Sequence, residues 1–139
     1  MYNWVKKNGG EEDNGYLFVN DSFVIGCTKS TAGIKTFMKN DSYISIDFTK
    51  TGKYVEVFYN PGGDDYDILL TAKMPKKKFD SMTTPDWKLD EYSVVAGYKK
   101  SDVKKFSDDA NDAITQAYSE WNDSLKKMGV SMKKLGFKN

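Results

Sequence analysis

Histidine and arginine are both missing from the 139-residue sequence, and cysteine occurs once, as Cys27. Without histidine the chain lacks the usual general base near neutral pH and the commonest metal ligand. Ser-His-Asp and Cys-His catalysis are therefore excluded within it. Without arginine it lacks the planar fork that grips phosphates and guanine edges. All 21 basic residues are lysines, a bias that an AT-rich genome explains, and a sequence-specific reader of nucleic acid is not expected. One cysteine can form neither an intramolecular disulfide nor a thiolate zinc site. No metal or cofactor is expected.

Charge of one sign is also missing. The 21 lysines face 20 acidic residues, for a net charge of +1. Such a balance exerts no global pull toward nucleic acid or anionic lipid. No apolar run approaches the ~18 residues of a membrane span. The first residues, Met1 to Asp13, contain no apolar core of the kind a secretory leader needs. An exported or cell-surface location is expected if a leader was trimmed, and a cytoplasmic one otherwise.

What is present suits one globular domain. Hydrophobic residues make up 39% and charged residues 29%, ordinary values for a packed α+β chain of this length. Aspartate far outnumbers glutamate, and Asn, Ser, Thr and Tyr are frequent. That flavour fits an exported bacterial domain better than a cytosolic enzyme.

The patterning predicts four regions: a short N-terminal element with a polar loop over 1–15, an antiparallel sheet over 16–98, a helix over 101–128 and a basic tail over 129–139. Tyr16–Val19 and Phe23–Cys27 read as a hairpin around Asn20-Asp21. A short strand is expected at 34–38. Ile44, Ile46 and Phe48 alternate with polar neighbours, as do Val55, Val57 and Tyr59, and Ile68 with Leu70. A hairpin loop at 49–52 would set Ile46 opposite Val55 and Ile44 opposite Val57. A loop at 60–65 would set Val57 opposite Ile68 and Val55 opposite Leu70. Residues 73–78 read as a solvated loop, 79–91 as a loop with room for one helical turn, and Tyr92–Tyr98 as a last strand. The expected sheet has five to six strands.

The period then changes. Val103, Phe106, Ala110, Ala113, Ile114, Ala117, Trp121, Leu125 and Met128 recur at spacings of three and four, which is one apolar helical stripe. Ser101 or Ser107 is the expected N-cap. Gly129 suits a left-handed stop. Such a helix should cover the inner face of the sheet, because a sheet with one apolar face must bury it.

The candidate functional surface is the outer face of the central strands, where Tyr43, Asp47, Tyr54, Glu56 and Phe58 project. The registers above bring Tyr43 opposite Phe58, Asp47 opposite Tyr54 and Ser45 opposite Glu56. Aromatics beside carboxylates suit a protein or glycan partner, since rigid rings supply contact area at little entropic cost. The competing reading is ordinary cross-strand pairing, or cover by the N-terminal segment with Trp4. Other features are better explained structurally. Asp64, Asp65 and Asp67 fit an exposed turn, and they lack the spacing of a calcium loop. Lys76, Lys77 and Lys78 fit a solvated loop. The tail, through Leu135 and Phe137, should dock back on the domain. Cys27 belongs in the core.

The expected function is a non-enzymatic binding module that uses this aromatic face. The alternatives are a small phage- or toxin-linked inhibitor of one protein target, and a small carboxylate enzyme or sugar-binding domain.

Overall fold

The computed structural model describes residues 1–49, 51–82, 93–94 and 99–137. It consists of α1 (Tyr2–Asn8), β1 (Gly10–Glu12), β2 (Gly15–Val19), β3 (Val24–Cys27), β4 (Thr31–Phe37), β5 (Tyr43–Thr49), β6 (Tyr54–Asn60), β7 (Leu70–Pro75), α2 (Lys76–Ser81), β8 (Ser93–Val94) and α3 (Lys100–Lys127). The strands form one sheet in strict chain order, and every neighbouring pair is antiparallel. The α+β meander with a long C-terminal helix is therefore as expected, but the described residues form eight strands rather than five or six. One addition, β1, lies in the polar stretch taken for loop. Asp13 and Asn14 adopt left-handed backbone there, with φ of 31° and 68°, and turn β1 back onto β2. Of the last expected strand, Ser93 and Val94 pair with β7. Its other residues fall outside the described ones.

Short polar side chains build the first turns. The Asn20 carboxamide oxygen accepts the backbone N–H groups of Ser22 and Phe23, both at 2.8 Å. The Thr28 hydroxyl accepts those of Ser30 and Thr31. Each side chain satisfies donors that the reversing backbone would otherwise leave open.

The inner face carries the core. Ile25, Ile34, Ile44, Ile46, Val55, Val57 and Leu70 are completely buried. Against them lies the stripe of α3, with Phe106, Ala110, Ala113, Ile114, Ala117, Tyr118, Trp121 and Leu125 buried. The Trp121 indole N–H donates to the Thr36 hydroxyl at 2.5 Å, and that hydroxyl donates to the Ser22 carbonyl at 2.9 Å. The helix begins one residue before the expected serine. Ser101 and Ser107 both lie inside it, and Lys99 is the N-cap. The Asp102 carboxylate accepts the Lys99 N–H at 3.1 Å, so an acid in the first turn caps the helix and also complements its dipole.

Two further pieces complete the inner layer. In α1, Val5 is buried, Tyr2 meets Tyr16 edge-on at 5.5 Å, and Trp4 meets Phe18 edge-on at 5.0 Å. Trp4 thus packs beside the core, not across the outer face. At the other end, Gly129 (φ 76°) stops α3. Val130 N–H bonds the Leu125 carbonyl and Gly129 N–H bonds the Lys126 carbonyl, the paired pattern of a Schellman stop. The same pattern recurs at Gly136 (φ 87°), with Phe137 N–H on Met132 and Gly136 N–H on Lys133. These two stops fold the tail back, so Val130, Met132, Leu135 and Phe137 are buried and Phe137 meets Phe48 edge-on at 5.3 Å.

The registers differ from expectation by even steps. Ile46 faces Val57, Ile44 faces Tyr59 and Phe48 faces Val55, a two-residue correction to the first hairpin. Val57 faces Ala72 and Val55 faces Met74, a four-residue correction to the second. The connection after β6 is longer than a 60–65 loop. It contains a 3-10 turn at Gly63–Asp65, and Ile68 is buried without joining a strand. Lys73 to Lys78, expected as loop, form the end of β7 and the start of α2, and the helical turn allowed for in 79–91 begins at Lys76. The residues of β5 and β6 keep their expected faces, because only odd slips exchange the two faces.

Candidate functional site

The five expected surface residues share the outer face, but their pairing is new. Asp47 faces Glu56, Ser45 faces Phe58 and Tyr43 faces Asn60. Tyr54 faces Pro75 at the far end of β7. The earlier pairings of Tyr43 with Phe58, Asp47 with Tyr54 and Ser45 with Glu56 are thereby corrected. Asp67 and Leu69 precede β7 and do not join this face as strand residues.

Following the registers sideways gives one row across six strands: Leu17, Gly26, Gly33, Asp47, Glu56 and Lys73. Its middle is low. Gly26 and Gly33 are cross-strand partners, so two adjacent strands carry no side chain there. Gly33 is also needed by its neighbour. A Cβ on it would collide with the Asp47 carboxylate, so the acid lies over the glycine of β4. A glycine between Ala32 and Ile34 inside a strand was the available signal for such an approach, and sequence reasoning did not use it.

Lys35 and Lys73 are the other residues sequence reasoning missed. Both sit near the acids, yet both ammonium groups rest on aromatic rings. Lys35 Nζ lies 4.5 Å from the centre of the Tyr43 ring and 5.7 Å from that of Phe37. Lys73 Nζ lies 4.5 Å from the centre of the Tyr54 ring. Among the described residues, neither Asp47 nor Glu56 has an ion-pair partner within 4.0 Å. Around them Phe37 is 62% exposed and Tyr54 50% exposed, whereas Tyr43, Glu56 and Phe58 are half-buried. All of these but Tyr43 line one depression open to solvent, and no described helix lines it.

Asp47 feels this setting. Although solvent reaches the side chain, crowding by the sheet raises its pKa above the ordinary 3.8; Lys35 opposes the rise and Glu56 adds to it. A carboxyl whose folded pKa is raised costs stability at pH values above that folded pKa. The cost falls as pH drops through it and is gone below the unfolded value. Asp47→Asn should therefore be slightly more stable than wild type at pH 7, by up to about 0.5 kcal/mol, because the amide avoids the cost of partly desolvating a charged carboxylate. The advantage should close in acid. Urea melts at pH 7 and pH 3 check both parts.

The remaining candidates are structural. Asp65 lies 3.9 Å from Lys105 of α3, and among the described residues no three acidic or cysteine side chains gather as a metal site would require. Lys76 pairs with Asp80 at 3.1 Å within α2. Cys27 is buried on the inner face, where burial raises its thiol pKa more than the N-terminal ammonium lowers it, so little thiolate forms at neutral pH. Among the described residues, no helix is long and apolar enough to cross a membrane. Compared with known proteins, the chain matches no family model, no curated protein and no solved structure.

Proposed function

We propose that the protein is a non-enzymatic binding module whose contact surface is the outer face around Tyr43, Asp47, Tyr54, Glu56 and Phe58. The observation that carries this reading is a face of exposed rings and unpaired carboxylates that no described element covers. Exposed aromatics beside a low glycine floor offer both contact area and relief. The depression is also open to solvent, so it would not exclude water from a reacting bond as an active site does. Residues Lys35, Phe37 and Lys73 extend the surface beyond the five central residues.

Affinity capture from the source organism tests this. Truncated hot-spot aromatics typically cost about 2 kcal/mol or more each, roughly thirtyfold in affinity. The double variant Tyr43→Ser/Phe58→Ser should thus lose whatever wild type retains, while circular dichroism shows both folded. Equal capture by the two proteins would mean that these rings serve the sheet and not a ligand.

The raised pKa of Asp47 beside Glu56 favours one second reading, a carboxylate site that holds or acts on a glycan. A glycan ligand retained by wild type and lost by Asp47→Asn would select it over the protein-binding reading.

A further inference from the structure

We propose that the partner of the outer face is a protein segment that anchors by an arginine side chain, its guanidinium lodged beside Asp47 and Glu56. This rests on the reading of that face as the contact surface and specifies what it takes.

Two acids share one position of the face, and the charge of Lys35 offsets Asp47 from a distance without forming an ion pair with it. Like charges directly opposite each other on neighbouring strands are destabilising, and Asp47 and Glu56 are directly opposite. On an exposed face almost any polar pair would serve the sheet better. The two lysines able to neutralise the acids are held on Tyr43, Phe37 and Tyr54 instead. An arriving cation would consequently break no existing ion pair.

The charge extends beyond this pair. Glu12, Asp13, Asp47 and Glu56 line the depression against Lys35 and Lys73. A chain of net charge +1 thus presents an acidic depression, which complements a basic partner in both steering and register. Shape points the same way. The Asp47 carboxylate fills the place above Gly33, but Gly26 beside it leaves the floor at backbone height, so a long side chain can lie down beside the acids. The exposed ring of Tyr54 and the half-buried rings of Tyr43 and Phe58 stand nearby to take apolar neighbours.

Guanidinium is the better fit of the two biological cations. It is planar, spans two carboxylates with separate N–H donors, sheds water more readily than ammonium and stacks on aromatic faces. This chain contains no arginine, so a second copy of itself cannot supply the anchor.

The test uses an acetylated, amidated tripeptide, Leu-Arg-Leu, and its Leu-citrulline-Leu counterpart, which keeps the shape and loses the charge. Each is titrated into 15N-labelled full-length protein at millimolar concentration and followed by amide chemical shifts. The arginine peptide should move the amides of Gly26, Gly33, Asp47 and Glu56. The citrulline peptide should bind about tenfold more weakly or worse. Asp47→Asn/Glu56→Gln should abolish the difference while remaining folded, since it removes a repulsion. Equal binding of both peptides at these residues would overturn the arginine anchor yet leave the face as a binding surface. Shifts confined to Glu11 and Glu12 at the sheet edge, or no shifts at all, would also overturn it, and the capture experiment would then judge the face independently.

Discussion

Trp121→Ala should cost about 3–5 kcal/mol, the range for emptying a fully buried aromatic site. Trp121 has no exposed surface and is among the largest completely buried side chains. It stands where α3 crosses the sheet and bonds Thr36 of β4, which in turn bonds Ser22 in the β2–β3 turn. Removing the indole leaves a cavity between the two layers and deprives the buried Thr36 oxygen of its donor. Domains of this size are stable by only about 5–15 kcal/mol, so the variant would sit near the edge of folding. Trp121→Phe separates the two contributions. It keeps most of the packing and forfeits the N–H bond, for which about 1 kcal/mol is the usual net value. Urea midpoints with an unchanged slope would measure both. A loss below about 1 kcal/mol for the alanine variant would mean that α3 is not the element against which the sheet is buried.

Gly62→Ala should be the most damaging single-methyl substitution in the connections. Gly62 has φ 68° and ψ −167°, a region essentially reserved for glycine and costing about 1–3 kcal/mol for other residues. Space is lacking as well. An added Cβ would strike the Asn40 carbonyl oxygen and the Ser42 nitrogen, which are backbone atoms and cannot swing aside. Asn60 holds the loop in place from below. Its buried side chain donates to the Tyr66 carbonyl at 2.6 Å and accepts the Gly62 N–H at 2.8 Å. Two connections, one before β5 and one after β6, therefore meet backbone to backbone. The neighbouring Gly63→Ala serves as the control. It shares a positive φ of 55°, but its Cβ would meet only the Asn40 side chain, at 3.9 Å. Thermal melts should show Gly62→Ala clearly below Gly63→Ala. Equal losses would assign the whole effect to backbone angle.

These contacts also mark where sequence reasoning stops. Alternation at Ile44, Ile46 and Phe48, and at Val55 and Val57, identifies which residues face inward, because burial selects parity. Burial is silent about even shifts. A hairpin moved by two residues buries the same side chains, and only the geometry of the turn chooses between the two. For that reason Asp47 was expected beside Tyr54 and is found beside Glu56. All five candidate side chains were legible as one face, whereas the opposed acids were not. Ile68 shows the same limit. It is buried as its pattern implies, yet it lies in the connection and not in β7. The helix was easier to read, since a stripe at three- and four-residue spacing needs no partner to define it. Its cap was misjudged because the helix starts at a lysine, and the side-chain bond at its start is the one Asp102 makes back to the Lys99 N–H.

The chain-ordered meander has a consequence for how the protein is made. Each strand can zip onto its predecessor as it leaves the ribosome, since every partner has already been synthesised. The cover for the resulting apolar surface comes last, with α3 and the tail. Between the end of β7 and Trp121 lie roughly fifty residues, or about 2–10 s of translation at typical rates. During that interval a nascent sheet holds Ile34, Ile44, Ile46, Val55 and Val57 without α3 to cover them. The polypeptide emerging at that stage is a natural client for a ribosome-associated chaperone, and release from it should await synthesis of the residues around Trp121.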